Sequence, residues 1–241
     1  ELNWNQQLAI TEQSVSKIAD APLPTELSID PETPWHDAVS HPSAVLILGK
    51  KGSGKSALAY RLLELFRFRA DAHAVGLPEK AADLLPKWIG TVDSLSDLPL
   101  GSTAVVDEAH LRYNSRTSHT SDSKSISEAL NLCRQRGQTI IVVSQEARQI
   151  DKNIASSTDV IIFKEPVMLQ IEFERRELHS IAEKAVSGFG TVKGSKQPWS
   201  YVHSPSADFI GMLESRLPSF WSEELSRAFD IGIEPAANRL A

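Results

Sequence analysis

The sequence predicts an α/β fold in which a mostly parallel central sheet is flanked by helices. Short apolar runs typical of buried strands alternate with segments whose apolar residues recur at helical spacing. With 241 residues, 41% of them hydrophobic, the chain suits one large domain with short appendages. The runs expected to form strands are 44–48, 72–77, 88–92, 101–107, 138–145 and 159–163.

Composition excludes some classes of function. A net charge of −6 argues against nucleic-acid binding through the whole surface, although cations confined to a loop or channel could still contact DNA. The single cysteine, Cys133, cannot form an internal disulfide or a cysteine-based zinc cluster, which favours a reducing interior. No apolar run approaches the roughly 20 residues that span a bilayer, so we expect a protein that is not itself a membrane protein.

The most specific motif is the segment 49–56, Gly-Lys-Lys-Gly-Ser-Gly-Lys-Ser, which fits G-x-x-x-x-G-K-[ST] at every fixed position. The apolar run 44–48 precedes it, and the segment that follows has a helical apolar stripe, Leu58, Leu62, Leu65 and Phe66. A glycine-rich turn could match by accident. The order of strand, turn and helix favours a phosphate-binding loop instead, the Walker A motif.

The residue types of this loop match the chemistry of a nucleoside triphosphate. Glycines let successive N–H groups point at a polyphosphate, and the positive end of the next helix adds to that field. Lys55 can reach the β- and γ-phosphates, and the Ser56 hydroxyl can ligate Mg²⁺. We therefore assign nucleotide binding to Gly49, Lys50, Lys51, Gly52, Ser53, Gly54, Lys55 and Ser56.

A second motif ends the run 101–107 with Asp107-Glu108, as in a Walker B strand. Ligands of open α/β sheets bind at the carboxyl edge of the strands. Asp107 is suited to the Mg²⁺ shell, commonly through water, and Glu108 to orienting or deprotonating the attacking water. The alternative is an acidic helix N-terminus stabilised by its dipole. A position about fifty residues after the phosphate loop favours catalysis.

Three further side chains are candidates. Gln145 ends the strand 138–145, where it could bond the γ-phosphate or the lytic water, or simply cap a turn. Arg134 and Arg136 end a helix whose apolar stripe makes Cys133 a core thiol, and they could stabilise the helix terminus. Alternatively, one of them, with Arg136 preferred, is an arginine finger supplied to a neighbouring subunit.

The flanks and loops are less informative. We divide the chain into an N-terminal arm or strap at 1–43, an ATPase core at 44–187, and a C-terminal strand–helix appendage at 188–241 that packs on the core. The arm either lies across the core or reaches a neighbour. The polar segment 111–124 predicts a loop that is either solvated or in contact with DNA phosphates.

Within the C-terminal part, the sequence predicts a long charged helix at 167–186, a turn at 188–197 and an edge strand at 199–203. Aromatic residues further on are expected to dock a C-terminal helix: Phe209, Phe220, Trp221 and Phe229.

The chain resembles the FtsK/HerA branch of the additional-strand P-loop ATPases, a RecA/ASCE-like group. Four features carry the resemblance: the phosphate loop, the strand ending in Asp-Glu, the helix ending in Arg-Gln-Arg-Gly and the strand ending in Ser-Gln. The resemblance covers residues 44–164. It implies a DNA-translocating ATPase that works as a homo-oligomer, typically a hexameric ring. It also gives Lys55, Ser56, Asp107, Glu108 and Gln145 the roles stated above.

Because the chain is a small ATPase core with short flanks, it is most similar, within this branch, to the genome-packaging ATPases of membrane-containing icosahedral viruses. We therefore expect a motor that moves double-stranded DNA, found in the cytoplasm of a host cell or with virions, with a capsid or membrane-vertex protein as a further partner. Conjugative or helicase-type DNA transfer and filamentous-phage assembly remain alternatives. A P-loop phosphotransferase and a nucleotide switch are alternatives of another class.

Overall fold

The central sheet has eight strands in the part of the chain that this computed structural model describes, which is residues 33–77, 79–107, 119–144, 156–166 and 176–229. In chain order the strands are β1 (Ala44–Leu48), β2 (Ala72–Val75), β3 (Ile89–Val92), β4 (Thr103–Asp107), β5 (Thr139–Ser144), β6 (Val160–Phe163), β7 (Trp199–Ser204) and β8 (Phe209–Glu214). Their spatial order is β3-β2-β4-β5-β1-β6-β7-β8. The first six pair in parallel and the last two are antiparallel, which confirms the predicted fold class.

Helices cover both faces of the sheet. They are α1 (Thr33–Ala38), α2 (Lys55–Phe66), α3 (Glu79–Ala82), α4 (His119–Leu132), α5 (Arg176–Thr191) and α6 (Glu223–Ala228), with short 3₁₀ turns at Leu95–Asp97 and Pro205–Ala207. One apolar cluster joins the sheet to α1 and α2, and a second joins the opposite face to α4 and α5. Burial on both faces explains why β1, β5 and β6 are continuous apolar runs that do not alternate with polar residues.

The register of the central strands determines which residues share the carboxyl edge. Leu48, the last residue of β1, is opposite Ser144 of β5 and Phe163 of β6. Asp107, the last residue of β4, is opposite Val143 of β5. β5 therefore lies between β1 and β4, and the loops that follow all four strands leave the sheet at one edge.

Helix α4 begins earlier than the sequence predicts. The predicted loop 111–124 is wrong for its last residues, because the helix starts at His119; residues 111–118 lie outside the described residues. The sequence predicts this helix from its apolar residues alone. A helix can extend further through polar residues, because their helix propensities are only a few tenths of a kcal/mol less favourable than that of alanine. Cys133 is 1% exposed after the last turn, and burial raises the pKa of its thiol, which confirms a core thiol.

Helix α5 ends later than predicted, at Thr191, so the turn expected from Gly188 onward is wrong for its first residues. Phe189 is 3% exposed and packs in the same core cluster as Leu178 and Ala182. Burial of a phenylalanine stabilises by about 2–3 kcal/mol, which outweighs the ~1 kcal/mol cost of a helical glycine. Gly188 also suits its place, since a Cβ there would lie 2.8 Å from Sδ of Met212.

The C-terminal residues extend the sheet and also pack on α2. β7 pairs with β6 and with β8, so the expected edge strand at 199–203 is an inner strand, and Phe209 begins a strand that the sequence reading missed. The other aromatic anchors dock as predicted around Tyr60, with ring centroids 5.2–6.4 Å away: Phe220, Trp221 and Phe229. The described residues from 34 to 229 belong to one compact unit, and the domain limits at 43 and 187 stay predictions.

Candidate nucleotide-binding site

The predicted phosphate loop connects the end of β1 to the first turn of α2. Gly49, Gly52 and Gly54 have φ angles of 150°, 75° and 87°, which glycine adopts without a Cβ clash. Because Gly54 is the N-cap of α2, no cap side chain accepts the first N–H groups of that helix. The backbone therefore presents amide donors and a positive helix end, a combination that suits an oxyanion.

Lys55 occupies the first position of α2 and is 6% exposed. Its Nζ donates a hydrogen bond to the carbonyl oxygen of Lys50, 2.8 Å away. That bond holds the ammonium within the span of the loop, next to the amides. Ser56 follows on the same helix turn, so the ammonium and the hydroxyl of the motif enter the site from one rigid element.

The loop contains a buried hydroxyl that has no partner in the described part of the chain, and it packs tightly against the end of β6. The Ser53 hydroxyl is buried in the loop and has no hydrogen-bond partner among the described residues. An added Cβ on Gly49 would lie 2.2 Å from the carbonyl oxygen of Lys164, so the loop passes the end of β6 too closely for any side chain. A phosphate oxygen is a group that could satisfy the Ser53 hydroxyl at the start of α2.

The residues after β6 form one wall of the loop. The N–H of Lys164 donates to the carbonyl oxygen of Leu48, 2.7 Å away, and this bond continues the β1–β6 pairing to the start of the loop. The carboxylate of Glu165 pairs with Nζ of Lys50 at 2.8 Å. The loop is therefore held against the end of β6 by contacts of both backbone and side chains.

The Lys164 ammonium is buried behind this wall. Its Nζ donates to the carbonyl oxygen of Gln197, 2.6 Å away. Burial lowers the pKa of Lys164 to about 8. Together with Lys50, Lys51 and Lys55 it makes four lysines at or beside the loop, a concentration of positive charge in a chain whose net charge is negative.

Asp107 reaches the same edge of the sheet. Its backbone is opposite Val143, which is in turn opposite Ile47 of β1. Two strand spacings separate β4 from β1, so the backbone of Asp107 lies about 10 Å from the strand that leads into the loop. Glu108 and Gln145 follow the last described residues of β4 and β5 and lie outside the described residues. The structure thus places β4, which contains Asp107 and leads to Glu108, and β5, which leads to Gln145, at the same sheet edge as the loop.

Comparisons with known proteins agree with this architecture. The profile of the family described as zonular occludens toxin (Zot) matches residues 68–164, a stretch that includes β4 and β5 but not the phosphate loop. The genome packaging NTPase B204 from Sulfolobus turreted icosahedral virus 2, solved with AMPPCP, superposes with a TM-score of 0.52 at 17% identity, covering 73% of this chain and 98% of that one.

The conjugation coupling protein TcpA of pCW3, solved with ATPγS, superposes with a TM-score of 0.50 at 11% identity, covering 78% of this chain and 64% of that one. No curated protein sequence matches the chain significantly. Both superposed structures hold ATP analogues, and here β5 lies between the loop strand and the Asp107 strand. The chain has the P-loop NTPase fold of these structures.

In this P-loop NTPase fold, the two candidate finger arginines lie at the amino edge of the sheet, away from the loop. Arg134 pairs with Asp159, which also accepts the N–H of Ala44 at the start of β1. Arg136 donates to the carbonyl oxygen of Leu98, 3.0 Å away, just before β4. The structure therefore does not bring either arginine to the loop of its own chain, and a finger in trans stays a prediction.

The sequence reading missed the wall of the candidate nucleotide site formed by Lys164, Glu165 and Gln197. A signal for the first two was available: both directly follow a buried parallel strand, and residues in that position share the carboxyl edge with the loop. Gln197 carried no signal, because it reaches the site only through the fold of the segment between α5 and β7.

None of the described helices has the length and apolar character of a membrane-spanning segment.

Proposed function

We propose that this chain is an ATP-hydrolysing motor that moves double-stranded DNA, with packaging of a viral genome as its task. The observation that carries the proposal is one sheet edge that joins a glycine-rich loop and its lysines to the Asp107 strand, with β5 between them. Loop amides and lysines suit a polyphosphate, whereas carboxylates suit the metal and the water that phosphoryl transfer requires. The superposed packaging NTPase supports the choice of task.

In the proposed mechanism, the amides of residues 49–56 and the Lys55 ammonium bind the phosphates of ATP. The Ser56 hydroxyl and the Asp107 carboxylate would hold Mg²⁺, which neutralises charge that develops on the phosphate oxygens. Glu108 accepts a proton from the attacking water. Gln145 bonds the γ-phosphate or that water, so its position differs between the ATP and ADP states.

A ring completes the proposed mechanism, and a hexamer is its proposed form. A strand as long as β1, with five residues, spans about 16 Å between the amino edge and the carboxyl edge of the sheet. An arginine at the amino edge can therefore serve only the loop of a neighbouring copy. Arg136 is the better candidate for the finger. To reach a neighbour it must break one hydrogen bond to the Leu98 carbonyl oxygen, which costs less than breaking the ion pair of Arg134 with Asp159. Mixed Arg136→Ala and Glu108→Gln subunits should recover part of the activity; intact mixed rings without recovery would contradict the finger.

The proposed DNA contact lies in the region of residues 111–124, where hydroxyls and cations can meet phosphates without reading sequence. Because each neutralised DNA phosphate releases counterions, affinity should fall steeply as salt is raised. Docking to a capsid or membrane-vertex protein, in the cytoplasm or in virions, is part of the same proposal.

A second candidate function is that of an ATPase in filamentous-phage assembly, which the Zot profile over residues 68–164 favours. Conjugative DNA transfer is also compatible, since the coupling protein superposes over much of the chain. The packaging and conjugation tasks both need duplex or transferred DNA to be coupled to hydrolysis, whereas a phosphotransferase or a switch does not.

The deciding experiment measures ATP turnover of the full chain with and without long duplex DNA, with Lys55→Ala as the inactive control. A motor predicts turnover that rises severalfold with duplex and depends on its length. Turnover that is equal with and without duplex would overturn the motor proposal and favour an assembly ATPase or a switch. Transfer of phosphate to a small hydroxyl acceptor would identify a phosphotransferase.

A further inference from the structure

Lys164 combines deep burial with a lack of counter-charge. The residue is only 2% exposed. Its ammonium carries three N–H groups, and among the described residues it has one hydrogen-bond acceptor, the carbonyl oxygen of Gln197 at 2.6 Å. No carboxylate in the described part of the chain pairs with it; Glu165, the next residue, pairs with Lys50 instead.

Such an arrangement is costly for the protein by itself. A buried charge requires a partner or it disfavours the folded state, and one neutral carbonyl is a weak partner for an ammonium. Burial is the cause of the lowered pKa of Lys164, about 8. An apolar side chain of similar length would avoid this cost, so the positive charge itself calls for an explanation.

The location of Lys164 explains why a positive charge is buried there. The residue follows β6, the immediate parallel neighbour of β1, so it lies at the same sheet edge as the phosphate loop. Its carbonyl oxygen touches Gly49 at the start of the loop. A Cβ built on Gly54, at the end of the loop, would lie 3.7 Å from Cε of Lys164 and 3.7 Å from Cγ of Gln197. Lys164 therefore lies beside both ends of the loop.

We propose that Lys164 is a second nucleotide-binding lysine, whose ammonium takes a phosphate oxygen of a bound nucleoside polyphosphate as its counter-charge. This inference rests on the proposed nucleotide site. The carbonyl of Gln197 holds the ammonium beside Gly54 while the aliphatic part of the side chain packs against the loop. Binding of the polyphosphate then adds an ionic partner to a charge that has only a neutral one.

The competing explanation is that Lys164 is only a structural strut between β6 and the segment before β7. The two explanations predict opposite effects of removing the charge. A strut predicts lower stability of the nucleotide-free protein. A nucleotide-binding lysine predicts stability that is equal or higher without nucleotide, because the buried charge is gone, together with weaker nucleotide binding.

The experiment compares Lys164→Met, which keeps an unbranched side chain of nearly the same length without the charge, and Lys164→Gln, which keeps a polar group. Lys193→Met is the matched control, because Lys193 is an exposed lysine of the segment that also contains Gln197. For each full-length variant, the melting temperature without nucleotide and the Kd of Mg·AMPPNP are measured. Wild type and Lys55→Ala serve as references.

We expect both Lys164 variants to melt at or above the wild-type temperature and to bind AMPPNP about tenfold or more weakly, as for loss of a charge-assisted hydrogen bond. Lys193→Met should match wild type in both readouts. Affinity of the Lys164 variants within twofold of wild type would overturn the proposal, as would lower melting temperatures or failure of both variants to fold. If wild type itself does not bind AMPPNP, the nucleotide site is wrong; binding by wild type but not Lys55→Ala separates the two failures.

Discussion

The arginine and aspartate groups at the amino edge of the central sheet differ from the Ser53 hydroxyl and the Lys164 ammonium at its carboxyl edge in how well they are satisfied. At the amino edge, Asp159 accepts both the Arg134 guanidinium and the N–H of Ala44, and Arg136 bonds the carbonyl of Leu98. At the carboxyl edge, the Ser53 hydroxyl lacks a partner among the described residues, and the buried Lys164 ammonium has only one.

This difference separates stability from function within one sheet. Groups that satisfy each other contribute to folding and need nothing from outside. A buried donor or cation without sufficient acceptors costs stability until an anion supplies them, as for the Ser53 hydroxyl and the Lys164 ammonium in the part of the chain that the structure describes. Because we propose a ligand for the carboxyl edge only, substitutions at the two edges should have separable effects.

The largest expected effect concerns hydrolysis at the carboxyl edge. If Glu108 is the general base, Glu108→Gln should bind ATP normally while turnover falls by roughly 10²–10⁴-fold, the usual contribution of a positioned base. Lys55→Ala should lose both binding and turnover. Steady-state hydrolysis and nucleotide binding measured on the same preparations check this. Turnover of Glu108→Gln close to wild type would move the base to another residue.

Gly49→Ala should disrupt the contact between the loop and β6. The new Cβ would lie 2.2 Å from the Lys164 carbonyl oxygen at a φ of 150°, so the backbone must shift, at a cost of about 2–4 kcal/mol. Urea unfolding measures this cost, and nucleotide binding should be lost as well. The matched control is Gly190→Ala in α5, where a Cβ meets nothing within 4 Å; it should stabilise by roughly 0.5–1 kcal/mol. Equal effects of the two substitutions would contradict the close approach.

The sequence could predict the parts of these two edges that depend on local pattern. The loop motif and the buried runs located β1, β4, β5 and β6 to within a residue or two, because continuous apolar runs between turns have few other readings. The hairpin β7–β8 and the extension of α5 through Gly188 depend on packing against distant residues, such as Met212, which no local pattern encodes. For the same reason Gln197 could not be recognised as part of the site.

The pH dependence of stability should also distinguish the edges. Burial lowers the pKa of Lys164 in the folded chain to about 8, and unfolding restores a value near 10.5. Between these pH values the unfolded chain keeps a proton that the folded chain has released, so stability rises with pH, by up to about 3 kcal/mol for this group. The difference in unfolding free energy between wild type and Lys164→Met, measured by urea titration from pH 7 to 10, should increase in favour of wild type. A difference that stays constant would contradict the buried charge.

A smaller effect is expected at the amino edge. Asp159→Ala removes the acceptor of the buried N–H of Ala44 as well as the partner of Arg134, which should cost about 1–3 kcal/mol. AMPPNP affinity should stay at the wild-type value. The control is Asp93→Ala, an exposed carboxylate for which we expect a change within about 0.5 kcal/mol. Loss of nucleotide affinity in Asp159→Ala would show that the two edges are not separable.

The most direct test of a ligand-binding carboxyl edge is a crystal structure of the chain with Mg²⁺ and AMPPNP. We predict phosphate oxygens within hydrogen-bond distance of the amides of residues 52–56 and of Nζ of Lys55, with the metal bound to the Ser56 hydroxyl. Density for the nucleotide at any other place, with the loop left empty, would contradict the account.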